Sequence, residues 1–178
     1  MMDRWILPVG ADWATIAPTD AIKGWERRSG FRLPDDYRTF MMRYDGGRPY
    51  PLMFLHTARE SDGEPNPTEH YVDPFFEWEY VSSWTEELGN RLPKGCLAIG
   101  GDPGLINLIL SLRQDDYGCV YSWVRNWGAW SSPENDYLCL QAQSFQGFVE
   151  SLFENEQMEG YDYWYLPSSK RTQRPLTF

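Results

Sequence analysis

The chain is 178 residues long, carries a formal net charge of −10 and is 42% hydrophobic. This length suits a single domain that buries roughly 70% of its unfolded surface, and the apolar content excludes a disordered chain. The longest apolar run near the N-terminus is Trp5-Ile6-Leu7, far short of a signal-peptide core or of the roughly 20 residues of a membrane span. We therefore expect a cytoplasmic protein with no membrane association.

The negative charge is concentrated in the middle of the chain. Residues 61–160 contain 17 acidic and four basic residues, whereas residues 1–60 nearly balance. Such a surface repels nucleic acid and anionic membranes and attracts basic partners. A solvated acidic face that only keeps the protein soluble is the alternative interpretation.

The cysteines do not suggest disulfides or a metal site. Cys96, Cys119 and Cys139 are odd in number, widely spaced and set in strand-like apolar runs. A zinc site requires more closely paired ligands. We expect buried free thiols in a reducing compartment, with no metal and no cofactor.

The first 30 residues predict a leader followed by a helix. Residues 1–18 contain two prolines and a glycine and are expected to be irregular. Thr19-Asp20 is typical of a helix start, and the helix over 20–29 ends at Gly30.

The second helix, over 35–45, has the strongest pattern in the chain. Pro34 and Asp35-Asp36 suit a helix start, because proline lacks an N–H and aspartate favours the positive end of the helix dipole. Asp45-Gly46-Gly47 suits its end. Its apolar residues recur at i, i+3, i+4 and i+7, as Tyr37, Phe40, Met41 and Tyr44.

The next segment predicts a strand, a loop and a helix. Tyr50 to His56 is an apolar run that contains a proline, which favours an edge strand. Residues 61–69 form a polar, proline-containing stretch that we expect to be a loop and the best candidate for disorder. Residues 74–88 carry a broad apolar stripe typical of a helix.

Strands dominate the following segment. A short strand is expected at 96–100 and a longer one at 105–112, with a turn at 114–118 and a return strand at 119–124. In the longer strand, alternate residues predict one buried face, formed by Ile106, Leu108, Leu110 and Leu112.

The chain closes with a further strand at 137–141 and a helix at 144–154, for which Ser144 is the predicted N-cap. The order of elements predicts an α+β fold. N-terminal helices and a C-terminal helix pack on a largely antiparallel mixed sheet in a single domain over 19–166. Residues 167–178 are expected to be a mobile tail.

Residues 33–47, read as LPDDYRTFMMRYDGG, are similar to the signature of the SUKH superfamily. That group includes fungal cell-wall assembly regulators and many bacterial immunity proteins that neutralise toxins. Asp45 stands where the family usually has Asn.

Three later blocks also resemble the family, namely 92–104, 117–123 and 144–152. After the Gly101-Asp102-Pro103-Gly104 turn the chain departs from the family pattern, with Leu105 and Ile106 in place of a glycine and a small polar residue. The resemblance implies a SUKH-like α+β fold.

No catalytic constellation is visible in the sequence. His56 and His70 are the only histidines, and no nucleophile motif such as GxSxG accompanies them. His70 with Glu69 and Asp73 is a weak metal pattern. Adjacent acids such as Asp115-Asp116 are typical of solvated turns. We therefore expect a protein that is not an enzyme.

Aromatic residues are abundant, with nine Trp, 11 Tyr and nine Phe, which is more than a core of this size easily holds. Tyr and Trp anchor interfaces, so we expect an exposed surface of interleaved acids and aromatics. The predicted partner contacts are Asp73, Glu77, Trp78, Glu79, Asp115, Asp116 and Trp127.

These observations and the resemblance predict a non-enzymatic immunity protein. It would bind a basic cognate toxin domain, such as a nuclease, in the cytosol, and it would not bind nucleic acid. One alternative is an intracellular regulatory or scaffold domain with several partners. Another is a small-molecule or enzymatic role that uses a cleft between the helices and the sheet. The sequence does not determine the oligomeric state.

Overall fold

A computed structural model describes residues 4–8, 17–59, 65–104, 106–124, 139–154 and 174–178. The described residues contain four α-helices: α1 (Thr19–Ser29), α2 (Asp35–Tyr44), α3 (Trp78–Leu88) and α4 (Phe145–Ser151). They also contain nine strands: β1 (Trp5–Leu7), β2 (Arg48–Tyr50), β3 (Met53–Arg59), β4 (Pro65–Tyr71), β5 (Cys96–Gly101), β6 (Ile106–Ser111), β7 (Val120–Val124), β8 (Cys139–Ala142) and β9 (Arg174–Pro175).

All strand pairs among these elements are antiparallel. The largest sheet has the order β5-β6-β7-β8, a second has the order β2-β1-β9, and β3 pairs with β4. This arrangement confirms the predicted α+β fold.

The four-stranded sheet is buried on both faces at its centre, where every residue of β5 and β6 is buried. Leu97, Leu108 and Leu110 contribute to the main core with the apolar faces of α2 and α4. Ile109 and Trp123 point to the opposite face, where they form a second core with α3. Residues alternate between the faces of a strand, so two helical layers explain the continuous apolar run of β6, of which the sequence predicted only one buried face.

The end of α2 forms a junction with the start of α3. Asp45 adopts the left-handed conformation (φ 48°), as predicted for the end of this helix. Its Oδ1 accepts a hydrogen bond of 2.8 Å from the backbone N–H of Trp78. Gly46 lies so close to the following segment that an added Cβ would stand 2.7 Å from the carbonyl carbon of Phe76. Asp45 and Gly46 therefore end α2 and also connect it to the start of α3.

The strand expected from Tyr50 to His56 is divided between β2 and β3, and α4 ends at Ser151 rather than at residue 154. Two further differences concern β4 and α3. Residues 65–69, expected as part of a disordered loop, belong to β4 and pair with β3. Helix α3 begins at Trp78 rather than at residue 74, because Phe75 is held in extended backbone by hydrogen bonds with Gly47 and a bridge to Gly100. Tertiary pairing overrides local propensity in both places.

The two ends of the chain meet in one sheet. Strand β1, inside the predicted leader, pairs with β2 and with β9. Beyond β9, Leu176 is buried and Phe178 packs on the main core. The expected mobile tail is therefore not found at residues 174–178, which pair and pack as part of the domain.

Candidate partner-binding surface

Some of the predicted contact residues are exposed acids, whereas others already pack or form ion pairs within the chain. Glu77, Glu79 and Asp115 are exposed. Trp78 is only 4% exposed and packs edge-on against Trp25. The prediction of a surface contact at Trp78 does not fit the free protein, because this ring fills the core beneath α3.

Two of the predicted acids are held in ion pairs. Asp73 pairs with Arg48. Asp116 pairs with Arg113 and accepts hydrogen bonds from Ser111 and Tyr121, and this network lowers the pKa of Asp116 to about 2. Both carboxylates therefore have strong partners within the chain. Trp127 lies outside the described residues.

The exposed acids do not form one patch. Glu77 and Glu79 lie at the start of α3, beside the Gly101 end of β5. Asp115 follows β6 at the other end of the same hairpin, where Cys96 pairs with Ser111. The structure thus separates the predicted contacts into two surfaces.

The surface at the start of α3 includes a carboxylate that the sequence did not assign to it. Asp45 is half-buried, and its burial together with Glu79 raises its pKa. Partial burial raises the pKa of Glu77 as well, with Asp45 and Glu79 adding to the effect. Three carboxylates at the junction of α2 and α3 therefore lie close enough to repel one another.

A row of aromatic side chains runs along α3 next to these acids. Tyr80 and Trp84 are four residues apart and lie on one face of α3, and Phe76, which precedes the helix, packs against Tyr80. Tyr80 meets Phe76 edge-on at 4.7 Å between ring centroids and stacks on Trp84 at 5.9 Å, with 8° between the ring planes. Tyr80 is nevertheless 47% exposed. It is an exposed ring that its neighbours hold in place.

The turn after β5 faces this row. Asp102 Oδ1 accepts a 3.0 Å hydrogen bond from the backbone N–H of Ile106, and Oδ2 lies 2.8 Å from Nδ1 of His70. Burial raises the pKa of the Asp102 carboxyl, but these hydrogen bonds outweigh burial and hold it below its usual value. Asp102 therefore carries its negative charge at neutral pH.

A groove of about 160 Å³ lies between α3 and the turn. Trp84 closes one part of it by donating a 3.1 Å hydrogen bond from Nε1 to Oδ1 of Asn107. The groove is lined by the three aromatic residues and by Gly101, Asp102, Pro103, Gly104, Ile106 and Asn107. Sequence reasoning missed Tyr80 and Asp102 as parts of one site, although the four-residue spacing of the aromatics was available as a signal.

The buried His56 contacts a serine that is distant in the sequence and that the sequence analysis did not associate with it. His56 Nδ1 lies 2.7 Å from Oγ of Ser122, which also accepts a 2.8 Å hydrogen bond from Nε2 of Gln141. Burial, with a contribution from His70, lowers the pKa of His56. Ser122 is completely buried and His56 is 3% exposed. A substrate cannot reach this pair in the folded protein. The Ser122 hydroxyl is satisfied by His56 and Gln141, whereas Nε2 of His56 is buried and has no hydrogen-bond partner among the described residues.

A larger groove of about 530 Å³ runs along α1 and the loop that follows it. Its lining mixes acidic and basic side chains, including Lys23, Glu26 and Arg27. Glu26 is already bound, because it pairs with Arg38 and accepts a 2.9 Å hydrogen bond from the backbone N–H of Leu33. This groove offers no concentration of one charge.

Within the described ranges, no group of three potential metal ligands is found. The same residues include no helix that is both long and apolar enough to cross a membrane.

The sequence model of the SMI1 / KNR4 family (SUKH-1) matches residues 16–151, more than half of the chain. The chain belongs to this family. The match confirms the resemblance drawn from residues 33–47, and it spans α2, α3 and the turn that carries Asp102. A search of curated proteins gives no match. Membership of the SUKH-1 family is consistent with a toxin-immunity or related regulatory role, in a family known for such roles rather than for catalysis.

Proposed function

We propose that this SUKH-1 family protein is a non-enzymatic immunity protein that binds a cognate toxin domain in the cytosol. The binding surface would be the exposed face of α3 together with the turn after β5. The observation that carries the proposal is the exposed ring of Tyr80, in contact with Phe76 and Trp84, on a helix whose charged residues are all acidic. Helix α3 contains three glutamates and no basic residue, and Tyr80 is exposed among them.

The charge of this surface favours a basic partner. Glu77, Glu79 and Asp45 repel one another in the free protein, so a cationic partner surface would relieve that repulsion. Toxins that act on nucleic acid carry basic surfaces. An acidic inhibitor associates with such a surface faster through electrostatic steering and competes with phosphates for it. A nuclease domain is therefore the toxin class that we propose.

Immunity requires a toxin domain encoded in a neighbouring gene, and the test uses that domain in isolation, with its activity measured. The wild-type protein should abolish that activity at a one-to-one ratio. Association should slow as salt rises, because the exposed charges that steer the encounter are screened.

Two variants with the same change in net charge distinguish an effect of this surface from an effect of net charge alone. Glu79→Lys and Asp115→Lys change the charge equally, but only Glu79 lies on the proposed face. We expect Glu79→Lys to reduce the association rate about tenfold and to flatten its salt dependence, and Asp115→Lys to have a much smaller effect. Equal effects would contradict the assignment of the surface, and failure of the wild-type protein to inhibit would contradict immunity.

The second candidate function is an intracellular regulatory or scaffold domain, which the SUKH-1 family also accommodates. It would use the same face for several weaker partners. Quantitative capture from the native host separates the two functions. A single stoichiometric partner with a toxin domain supports immunity, whereas several sub-stoichiometric partners support regulation.

A further inference from the structure

We propose that the groove between α3 and the turn after β5 binds one arginine side chain of the partner. The guanidinium would lie against Tyr80 and reach toward Asp102. This inference rests on the proposed function for the origin of the arginine, which would belong to the toxin domain.

The size of the groove selects a single side chain. Its volume is about 160 Å³, whereas pockets for small-molecule ligands and cofactors are typically about 300–1,000 Å³. A cofactor therefore does not fit, but one long side chain does. Interfaces concentrate binding energy in this way, by inserting a few anchors into small pockets.

The aromatic wall favours a planar cation. Tyr80 is almost half exposed, yet contacts with Phe76 and Trp84 fix the orientation of its ring. A held ring binds a cation over its face without first losing rotational freedom. Arginine suits this wall better than lysine does, because the guanidinium stacks flat on aromatic rings and is more weakly hydrated.

The floor of the groove supplies the acceptor. Asp102 accepts hydrogen bonds from the Ile106 N–H and the His70 ring, and a backbone hydrogen bond from Gly104 also stabilises its charged form. The two oxygens of a carboxylate offer about four acceptor sites, so one remains for a guanidinium N–H. Glu77 and Glu79 add negative charge at the nearby rim. None of the described lining residues is basic. The titratable groups that interact with Asp102 from neighbouring strands are His70, whose Nδ1 lies 2.8 Å from Oδ2, and the buried His56.

The pocket can be tested without the toxin. The full-length protein would be labelled with ¹⁵N, and N-acetyl-arginine amide would be titrated against it while the indole N–H resonances are followed. Trp84→Phe identifies the Trp84 resonance. Because Trp84 lines the groove through Nε1 and Asn107, its indole signal should shift saturably with the arginine probe.

Two further probes define the chemistry. N-acetyl-citrulline amide has nearly the same shape without the charge, and N-acetyl-lysine amide has the charge without the planar group. We expect the lysine probe to bind more weakly and the citrulline probe not to saturate. Equal shifts of the Trp84 signal with arginine and citrulline would overturn the proposal.

Variants locate the site. Tyr80→Leu keeps an apolar side chain at an exposed position but removes the ring. It should weaken arginine binding about 2- to 30-fold, the range to which cation–π energies convert. Glu86→Gln, an exposed acid on the same helix but outside the groove lining, is the matched control and should leave binding within about twofold. A Tyr80→Leu protein that binds arginine like the wild type would overturn the proposal.

The outcomes for the pocket and for the immunity function are distinguishable. Arginine-specific shifts at Trp84 without toxin inhibition would support the pocket and contradict immunity. Toxin inhibition by a protein whose Trp84 signal does not distinguish arginine from citrulline would support immunity and overturn the pocket.

Discussion

At the scale of single residues, Asp45 combines three roles that conflict. It adopts a left-handed conformation, accepts the hydrogen bond that starts α3, and is a half-buried carboxylate near other acids. Asparagine performs the first two roles without the charge, because its side-chain carbonyl accepts the same bond and it tolerates φ above zero. The acid therefore costs stability only when it is ionised.

We predict that Asp45→Asn stabilises the protein at pH 7, by up to about 1 kcal/mol, the size of charge effects at helix ends. The pKa of Asp45 is raised in the folded state. Folding of the wild type therefore loses stability as pH rises above the unfolded value of 3.8 and through the raised value. Thermal melts at pH 7 and pH 3 should show a gain that disappears at the lower pH.

The control for this prediction is Asp45→Ala, which removes the acceptor as well as the charge. It should destabilise the protein by about 1 kcal/mol at pH 3 through loss of the acceptor, and by less at pH 7, where removal of the charge offsets part of that loss. A loss of stability in Asp45→Asn at pH 7 would show that the charge supports the helix ends more than burial opposes it.

Gly46 provides a second prediction at this scale, because it has both a positive φ (87°) and close backbone neighbours. Gly30 has a similar φ (76°) but open space around it. Gly30→Ala should cost about 1 kcal/mol through backbone strain alone, and Gly46→Ala should cost at least twice as much. Chemical denaturation of both variants measures the difference. Equal losses would mean that the α2–α3 junction relaxes freely.

At the scale of elements, residues 174–178 contribute to the core, although the residues that precede them in the sequence are mostly polar. Strand β9 pairs with β1, and Tyr44 donates a 2.7 Å hydrogen bond to the carbonyl of Pro175. Thr177 N–H in turn donates to the Tyr44 hydroxyl at 3.0 Å. These contacts connect the last residues to α2 and place Leu176 over the main core.

We predict that Leu176→Ala lowers the free energy of unfolding by about 2 kcal/mol, at the low end for a buried leucine because the position is at the edge of the core. Thr177→Ala, at an exposed neighbour, should cost less than about 1 kcal/mol. Denaturant titration of the two variants compares them. A neutral Leu176→Ala would mean that this segment adds little to stability, as the sequence suggested.

The elements also differ in how far the sequence determined them. Helix α2 was predicted within one residue, because Pro34, Asp35-Asp36 and Asp45 are local signals for its ends. The start of α3 was predicted too early because Phe75 is held by Gly47 and Gly100, which are distant in sequence. Strand β4 was missed because it exists through its pairing with β3 and has little strand propensity of its own.

At the scale of the whole molecule, the net charge of −10 means that the charges of the folded protein repel one another on average, which lowers its stability. We predict that the melting temperature rises when salt is raised from about 10 mM to about 150 mM, a change that shortens the Debye length from about 30 Å to about 8 Å. The half-buried ion pair between Arg48 and Asp73 is screened much less than exposed charges are, so its stabilising effect should persist.

A variant with both Glu79→Lys and Asp115→Lys has a smaller net charge and serves as the comparison. Its melting temperature should rise less over the same salt range. A fall in the melting temperature of the wild type with salt would show that exposed ion pairs outweigh the general repulsion.

The sequence by itself determined the helices with strong ends and the hairpin strands, because these depend on signals within about fifteen residues, and four blocks along the chain carried the resemblance to the SUKH superfamily. It also located an acidic and aromatic middle of the chain. Only the tertiary structure decided which of those residues are available. Packing against Trp25 and the main core buries Trp78, whereas Tyr80 stays exposed, and the turn after β5 brings Asp102 into one groove with Tyr80. Spacing alone cannot give this result, since the groove joins segments that meet only when α3 covers the second face of the sheet.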